Sequence, residues 1–109
     1  MSQATDRYRT GVVDRVLGGE GKASKEQRRA AFDNKGVNEG ARALVDKVSK
    51  NAWKVTDEDV AAVKAAGVSE DQIYELCVSA ALGQATRQLE SALAALDAAT
   101  SNRADKKGA

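Results

Sequence analysis

The stretch from Val55 to Leu96, VTDEDVAAVKAAGVSEDQIYELCVSAALGQATRQLESALAAL, decides the fold of this chain. Thr56 and Ser69 each follow a valine and precede acidic residues, a pattern typical of a capped helix N-terminus. Ser69 also has Gln72 three residues later, which predicts a capping box. Gly67 is the residue type that most often ends a helix. The stretch therefore predicts a helical hairpin with its joint at Gly67.

The second helix of this hairpin is apolar or small on nearly every side over its first turns. Between Ile73 and Ala85 it carries Leu76, Cys77, Val78, Ala80, Ala81, Leu82 and Gly83, and a helix that is apolar all round is typically buried. Farther along, its apolar residues narrow to one stripe, at Leu89, Ala92, Leu93 and Leu96. Residues 69–97 are compatible with one helix of about 43 Å, or with two helices joined near Gly83.

Three shorter helices are predicted upstream of the hairpin. The first spans Thr5 to Leu17, where valines recur at helical spacing. The second begins at Ser24, which forms a capping-box pattern with Gln27, and stops at the sequence Asn34-Lys35-Gly36. Asn38 is a good N-cap for the third helix.

The chain is therefore expected to be all-α, a small bundle of about five helices with a long central C-terminal helix. It has no proline and is rich in alanine, which favours helix because alanine loses no side-chain entropy there. Residues 1–23 are predicted to form an N-terminal helix and a glycine-rich linker, and residues 24–98 the helical domain. Residues 99–109 are polar and charged, and they are predicted to be a disordered tail.

Composition excludes several classes of chemistry. The chain has no histidine and a single cysteine, so it cannot build a Ser-His-Asp or Cys-His arrangement or a thiolate metal site. We therefore expect no cofactor and no metal. A net charge of +1 makes nucleic acid an improbable partner. There is no apolar run of membrane-spanning length and no leader pattern, so the expected location is the cytoplasm and no membrane contact is predicted.

The hairpin also resembles the C-terminal helices of the carboxymuconolactone decarboxylase / alkylhydroperoxidase D-like (AhpD-like) superfamily. The phrase AAGVSEDQI, Ala65 to Ile73, is similar to the helix–Gly–helix joint of that family, and the long small-residue helix after it fits as well. The resemblance implies an AhpD-like bundle that assembles into trimers or hexamers.

The family's redox chemistry does not carry over with the fold. Its redox members have a Cys-x-x-Cys pair and a following histidine, because one thiolate attacks, the other resolves, and a base lowers the thiol pKa. Counted back from Gly67, the cysteine positions fall on Ala52 and Val55, and the histidine position falls on Asp59. None of the three matches, so the resemblance implies a degenerate, non-redox member.

Three residues remain as weak catalytic candidates: Glu75, Asp59 and Cys77. Each also has a structural interpretation, which we weigh as the stronger one. Glu75 can lie on a solvated helix face, and Asp59 can stabilise the positive end of a helix dipole. Cys77 lies between two apolar residues and can simply pack in the core, where burial would raise its pKa.

A homo-oligomeric interface is predicted along the hairpin. Five residues are the candidates: Trp53, Ile73, Leu76, Ala80 and Gly83. The long helix offers more apolar surface than four short, alanine-rich helices can cover, and its small residues would let another helix approach closely. The family resemblance points in the same direction.

The leading functional hypothesis is a non-redox AhpD-like protein that acts as an oligomeric binding or accessory subunit, with a partner enzyme as a possible associate. The alternative is an enzyme of the alkylhydroperoxidase or carboxymuconolactone decarboxylase type that uses carboxylates or the single cysteine. A weaker alternative is a regulatory helical protein that uses a basic patch at Lys22, Lys25, Arg28 and Arg29.

Overall fold

The computed structural model describes the backbone of residues 3–108 and the side chains of residues 7–101. The chain folds into five α-helices, which are α1 (Gln3–Gly18), α2 (Lys25–Asp33), α3 (Glu39–Asn51), α4 (Asp57–Ala65) and α5 (Glu70–Gly108). A short 3-10 turn, Ala52–Lys54, leads from α3 towards α4. The all-α class, the five helices and the long C-terminal helix are thus confirmed.

The helical hairpin of α4 and α5 is built by local hydrogen bonds. The Ser69 hydroxyl accepts a hydrogen bond from the Gln72 N–H (3.2 Å), and the Ser69 N–H donates to Gln72 Oε1 (2.9 Å), which confirms the predicted capping box. Thr56 forms a second capping box, with Asp59 as its partner. Gly67 has a φ of +94°, the left-handed conformation of a helix C-terminus, so the predicted joint is also confirmed.

The cap predicted at Ser24 is confirmed, but its capping box with Gln27 and the cap predicted at Asn38 do not form. Ser24 caps α2 by accepting a hydrogen bond from the Gln27 N–H (3.0 Å). The Gln27 side chain does not complete a capping box, because its Oε1 accepts a hydrogen bond from the Asn38 N–H (3.0 Å) instead. Asn38 does precede α3, but its side chain makes no capping hydrogen bond. The loop before α3 is therefore held by Gln27.

Helix α5 is continuous, with no break at Gly83. Its 39 residues span about 58 Å at 1.5 Å per residue. The backbone stays helical past Thr100, where the polar composition predicts a disordered tail. Alanine, arginine and lysine are good helix formers, and no glycine or proline interrupts this segment before Gly108.

The core lies where α2 and α3 pack against the first half of α5. Its buried apolar residues come from four helices and the connecting segments: Ala23, Ala31, Val37, Ala41, Leu44, Val45, Val63, Ile73, Leu76 and Ala80. Gly83 is essential to this packing, because a Cβ at that position would collide with the backbone of Phe32 at the end of α2. The Arg87 guanidinium then donates a hydrogen bond to the Phe32 carbonyl (2.6 Å), and this satisfies a free carbonyl in the last turn of α2.

Helix α1 lies against α2 and α5, away from this core. Arg9 on α1 is 3.6 Å from Glu90 on α5, so α1 extends beside the second half of the long helix. Within residues 3–108, no helix combines the length and apolar character needed to cross a lipid bilayer.

Candidate functional site

Glu75, a sequence-predicted candidate, lies where α5 meets the loop before α2. Its carboxylate accepts hydrogen bonds from the Lys22 N–H (2.8 Å to Oε1 and 2.9 Å to Oε2) and from the Ala23 N–H (2.6 Å to Oε2). Gly21 permits this approach, because a side chain there would collide with the carboxylate. The hydrogen bond from Ala23, more than any other interaction, holds the pKa of Glu75 below its usual range. Glu75 is thus an ionised anchor that ties the loop to α5.

Beside this anchor is an open cleft of about 220 Å³ between α1, α2 and α5. Its walls are formed by Arg15, Val16, Glu20, Arg28, Tyr74, Glu75 and Val78. Arg28 is only 4% exposed, although it is charged. Its Nη1 donates a hydrogen bond to the Val16 carbonyl in the last turn of α1 (3.0 Å). Its Nε is buried and has no acceptor among the described residues.

Sequence reasoning missed the buried position of Arg28, because it grouped Arg28 with three neighbouring cations in a basic patch. In the structure Lys22, Lys25 and Arg29 are exposed while Arg28 is buried, and Arg29 pairs with Asp33 at 3.1 Å. The four residues therefore do not form one exposed basic surface. The spacing held a signal, since Arg28 lies three and four residues before the apolar pair Ala31 and Phe32 and so shares their buried face.

The Asp59 carboxylate makes two structural contacts at the start of α4. It accepts a hydrogen bond from the Thr56 N–H (2.9 Å) and forms an ion pair with Lys47 on α3 (2.8 Å). The Lys47 ammonium is the main reason that the pKa of Asp59 is lowered. Asp59 and Glu75 have different hydrogen-bond partners. Each carboxylate therefore has its own structural contacts. Sequence reasoning assigned Asp59 to the helix dipole and missed Lys47, which is twelve residues away.

Cys77 is half-buried on α5 rather than fully enclosed in the core. It lines a shallow, mostly apolar cleft together with Val60, Lys64, Glu70, Ile73 and Tyr74. Lys64, the cation in the lining of this cleft, is paired with Glu70. Burial raises the pKa of the Cys77 thiol, which disfavours the nucleophilic thiolate at neutral pH.

The five predicted interface residues divide into two groups. Ile73, Leu76, Ala80 and Gly83 are buried within the chain itself, so their apolar and small side chains serve the packing of α5 against α2 and α3. Trp53 differs, because it is 80% exposed in the turn after α3, with the Lys54 ammonium 4.9 Å from its ring centroid.

The second half of α5 presents an apolar stripe that sequence reasoning described but did not single out as an interface. Leu89 and Leu93 are half-buried, and Leu96 is 60% exposed. The three leucines recur at helical spacing and share one face. We refer to Leu89, Leu93 and Leu96 as the leucine stripe.

Comparisons with protein-family models, with curated proteins and with solved structures each gave no match. Among the described residues, no group of three or more histidine, cysteine or carboxylate side chains could hold a metal ion.

Proposed function

We propose that this chain is a non-redox AhpD-like helical protein that acts as an oligomeric binding or accessory subunit. The observation that carries the proposal is the leucine stripe on the second half of α5, in which Leu96 is exposed and Leu89 and Leu93 are half-buried. Fully burying an exposed leucine contributes about 1.5–3 kcal/mol, and Leu96 together with the exposed parts of Leu89 and Leu93 offers apolar surface of this kind on one face. The occupant we propose is a second copy of the chain.

Helix α1 lies beside this part of α5 and adds partly exposed apolar surface to it. The Arg9–Glu90 pair places α1 beside the same part of α5, and Val12 and Val13 on α1 are only half-buried. Tyr8 is 76% exposed. Two copies that laid their α5 helices together would bury the same leucines from both chains, as a two-fold interface requires.

The proposed accessory role has support of its own. Trp53 is exposed in the turn between α3 and α4, at a different point in the sequence from the leucine stripe. Tryptophan is among the residues that most often anchor protein–protein contacts. The carboxylates of Glu75 and Asp59 are held by backbone N–H groups and a lysine, and the pKa of Cys77 is raised by burial. These contacts favour a structural role for all three over the enzymatic alternative.

Light scattering at micromolar concentration tests the oligomer. We expect a mass that is a multiple of 11.5 kDa and a thermal midpoint that rises with protein concentration. Leu93→Asp and Leu96→Asp should shift the protein to the monomer. Ala98→Asp is the matched control, because residue 98 is exposed on the opposite face of α5 from the leucine stripe.

Two results would contradict the proposal. One is a wild-type mass of 11.5 kDa that stays the same at every concentration. The other is an oligomer that survives both leucine substitutions as well as it survives Ala98→Asp, because the interface would then lie elsewhere.

A further inference from the structure

Helix α1 lies along the same face of α5 that carries the leucine stripe. Val78, Leu82 and the leucine stripe recur along α5 at intervals of three, four and seven residues, so they share one face. Val16 of α1 lines the same cleft as Val78, and Arg9 of α1 pairs with Glu90 of α5. Helix α1 therefore runs antiparallel to α5 along this face.

The burial of the leucines follows the extent of α1. Leu82 and Leu89 lie between the two points of contact with α1, and both are half-buried. Leu96 lies beyond these points and is 60% exposed. The core residues Leu76 and Ala80 point to other sides of α5, towards α2 and α3. Helix α1 is therefore the element that covers part of the face with the leucines.

Helix α1 is held by contacts that are only partly shielded from water. Among its side chains that the structure describes, none is fully buried, and none belongs to the buried core. The Arg28 guanidinium donates a hydrogen bond to the Val16 carbonyl. The ion pair of Arg9 with Glu90 is partly open to solvent, where such pairs contribute little. An element held in this way opens more readily than the core does.

A glycine-rich hinge joins α1 to the rest of the chain. Positions 18–21 read Gly-Gly-Glu-Gly, and glycine adopts many backbone conformations without steric cost. Gly18 also has open space around it. The chain beyond the hinge is fixed, because the Lys22 and Ala23 N–H groups donate hydrogen bonds to the Glu75 carboxylate. Helix α1 can thus swing on this hinge while α2 stays in place.

We propose that α1 is a displaceable strap over the surface through which the chain self-associates. Docked α1 presents Val12 and Val13 at the edge of this surface, but it withholds the covered sides of Leu82 and Leu89. When α1 swings away, the whole leucine face becomes available to a second copy. The apparent affinity of self-association therefore falls with the fraction of copies in which α1 is displaced. This inference rests on the proposed self-association and assigns its regulation to α1.

Fixing α1 in its docked position tests the strap. In a Cys77→Ser background, Arg9→Cys and Glu90→Cys place two thiols at the ion pair, and a short bis-maleimide links them. The matched control is the same variant with each thiol capped by N-ethylmaleimide. A denaturing gel identifies the chains that are linked internally, and these are purified for the measurement. Sedimentation velocity should show self-association about tenfold weaker in the linked protein than in the capped protein.

Releasing α1 provides a second, independent measurement. Val12→Asp should displace α1, because a charge is unfavourable in a half-buried apolar contact. The amides of α1 should then exchange with deuterated water about tenfold faster, and self-association should become stronger. Thr10→Asp places the same charge on an exposed position of α1, so it should change neither quantity.

The outcomes separate the strap from the proposed function. Equal association of the linked and capped proteins would overturn the strap and leave the leucine interface standing. Links that form mainly between chains would also overturn it, because α1 would then lie on a neighbouring copy. A chain that stays monomeric both as wild type and as Val12→Asp would contradict both proposals. A monomeric wild type with an associating Val12→Asp would support the strap and contradict only the self-association of the wild type.

Discussion

The two halves of α5 have similar helix-forming residues but different surroundings. Between residues 70 and 87 the helix is covered by α2 and α3, and Ala80 is completely buried. Between residues 88 and 101 every residue is at least partly exposed, and Leu96 is among the most exposed large apolar side chains of the chain. Helix propensity is thus insufficient to explain which apolar residues form the core. The position of the neighbouring helices decides which of these residues are buried.

The difference between the two halves of α5 is tested most directly by replacing one leucine in each half with alanine. Leu76 is buried, so Leu76→Ala should lower the free energy of unfolding by about 3 kcal/mol through lost burial and a residual cavity. Leu96→Ala removes the same atoms from an exposed position and should change it by less than about 0.5 kcal/mol. Urea unfolding at submicromolar concentration measures both. Similar losses would mean that the second half of α5 is covered after all.

Glycine substitutions test how closely the backbone of α2 approaches the first half of α5. Gly83→Ala should destabilise the protein by about 2 kcal/mol, because the new methyl group forces the last turn of α2 away from α5. Gly11→Ala is the control, since Gly11 lies inside α1 with open space around it. It should stabilise the protein by about 0.5–1 kcal/mol through helix propensity. A neutral or stabilising Gly83→Ala would show that α2 does not pack this closely.

Because of Glu75, the contribution of the first half of α5 to the free energy of unfolding should depend on pH, unlike that of the second half. Glu75→Gln should cost about 1.5 kcal/mol at pH 7, because charged hydrogen bonds to Lys22 and Ala23 are weakened. The folded pKa of Glu75 is lowered, so its stabilisation is present above the unfolded pKa of about 4.3. It is lost as the pH falls through the folded pKa.

Urea unfolding of wild type and Glu75→Gln between pH 7 and pH 3 measures this difference. The gap between the two proteins should be constant down to about pH 5 and close at lower pH. Asp97→Asn, an exposed change in the second half of α5, should show no such gap. A gap that widens as the pH falls would contradict the proposed role of the ionised carboxylate.

The smallest loss in the free energy of unfolding is expected at the start of α5. Ser69→Ala removes the hydroxyl that accepts the Gln72 N–H and should cost about 1 kcal/mol, the usual loss of an N-cap. Ser91→Ala, on an exposed position of the second half of α5, should be close to neutral. An unchanged urea midpoint for Ser69→Ala would mean that the cap contributes nothing to the start of α5.

The sequence by itself determined the five helices and several of their ends. The caps at Ser24, Thr56 and Ser69, and the stop at Gly67, depend on hydrogen bonds between residues three to five positions apart. Such bonds need only a local helical turn, so the residue types at those four positions sufficed to predict them, whereas Asn38 makes no bond of this kind. The all-α class follows from the same local signals.

Only the tertiary structure decided which side chains meet across the bundle. Glu75 holds backbone groups 53 and 52 positions away in sequence, and Arg87 donates to the carbonyl of Phe32 in the last turn of α2, 55 positions earlier. Gly83, which composition marked as a possible break, is the point where α2 touches α5. These contacts depend on the docking and rotation of whole helices, and local spacing carries no information on either. The burial of Arg28 arises in the same way.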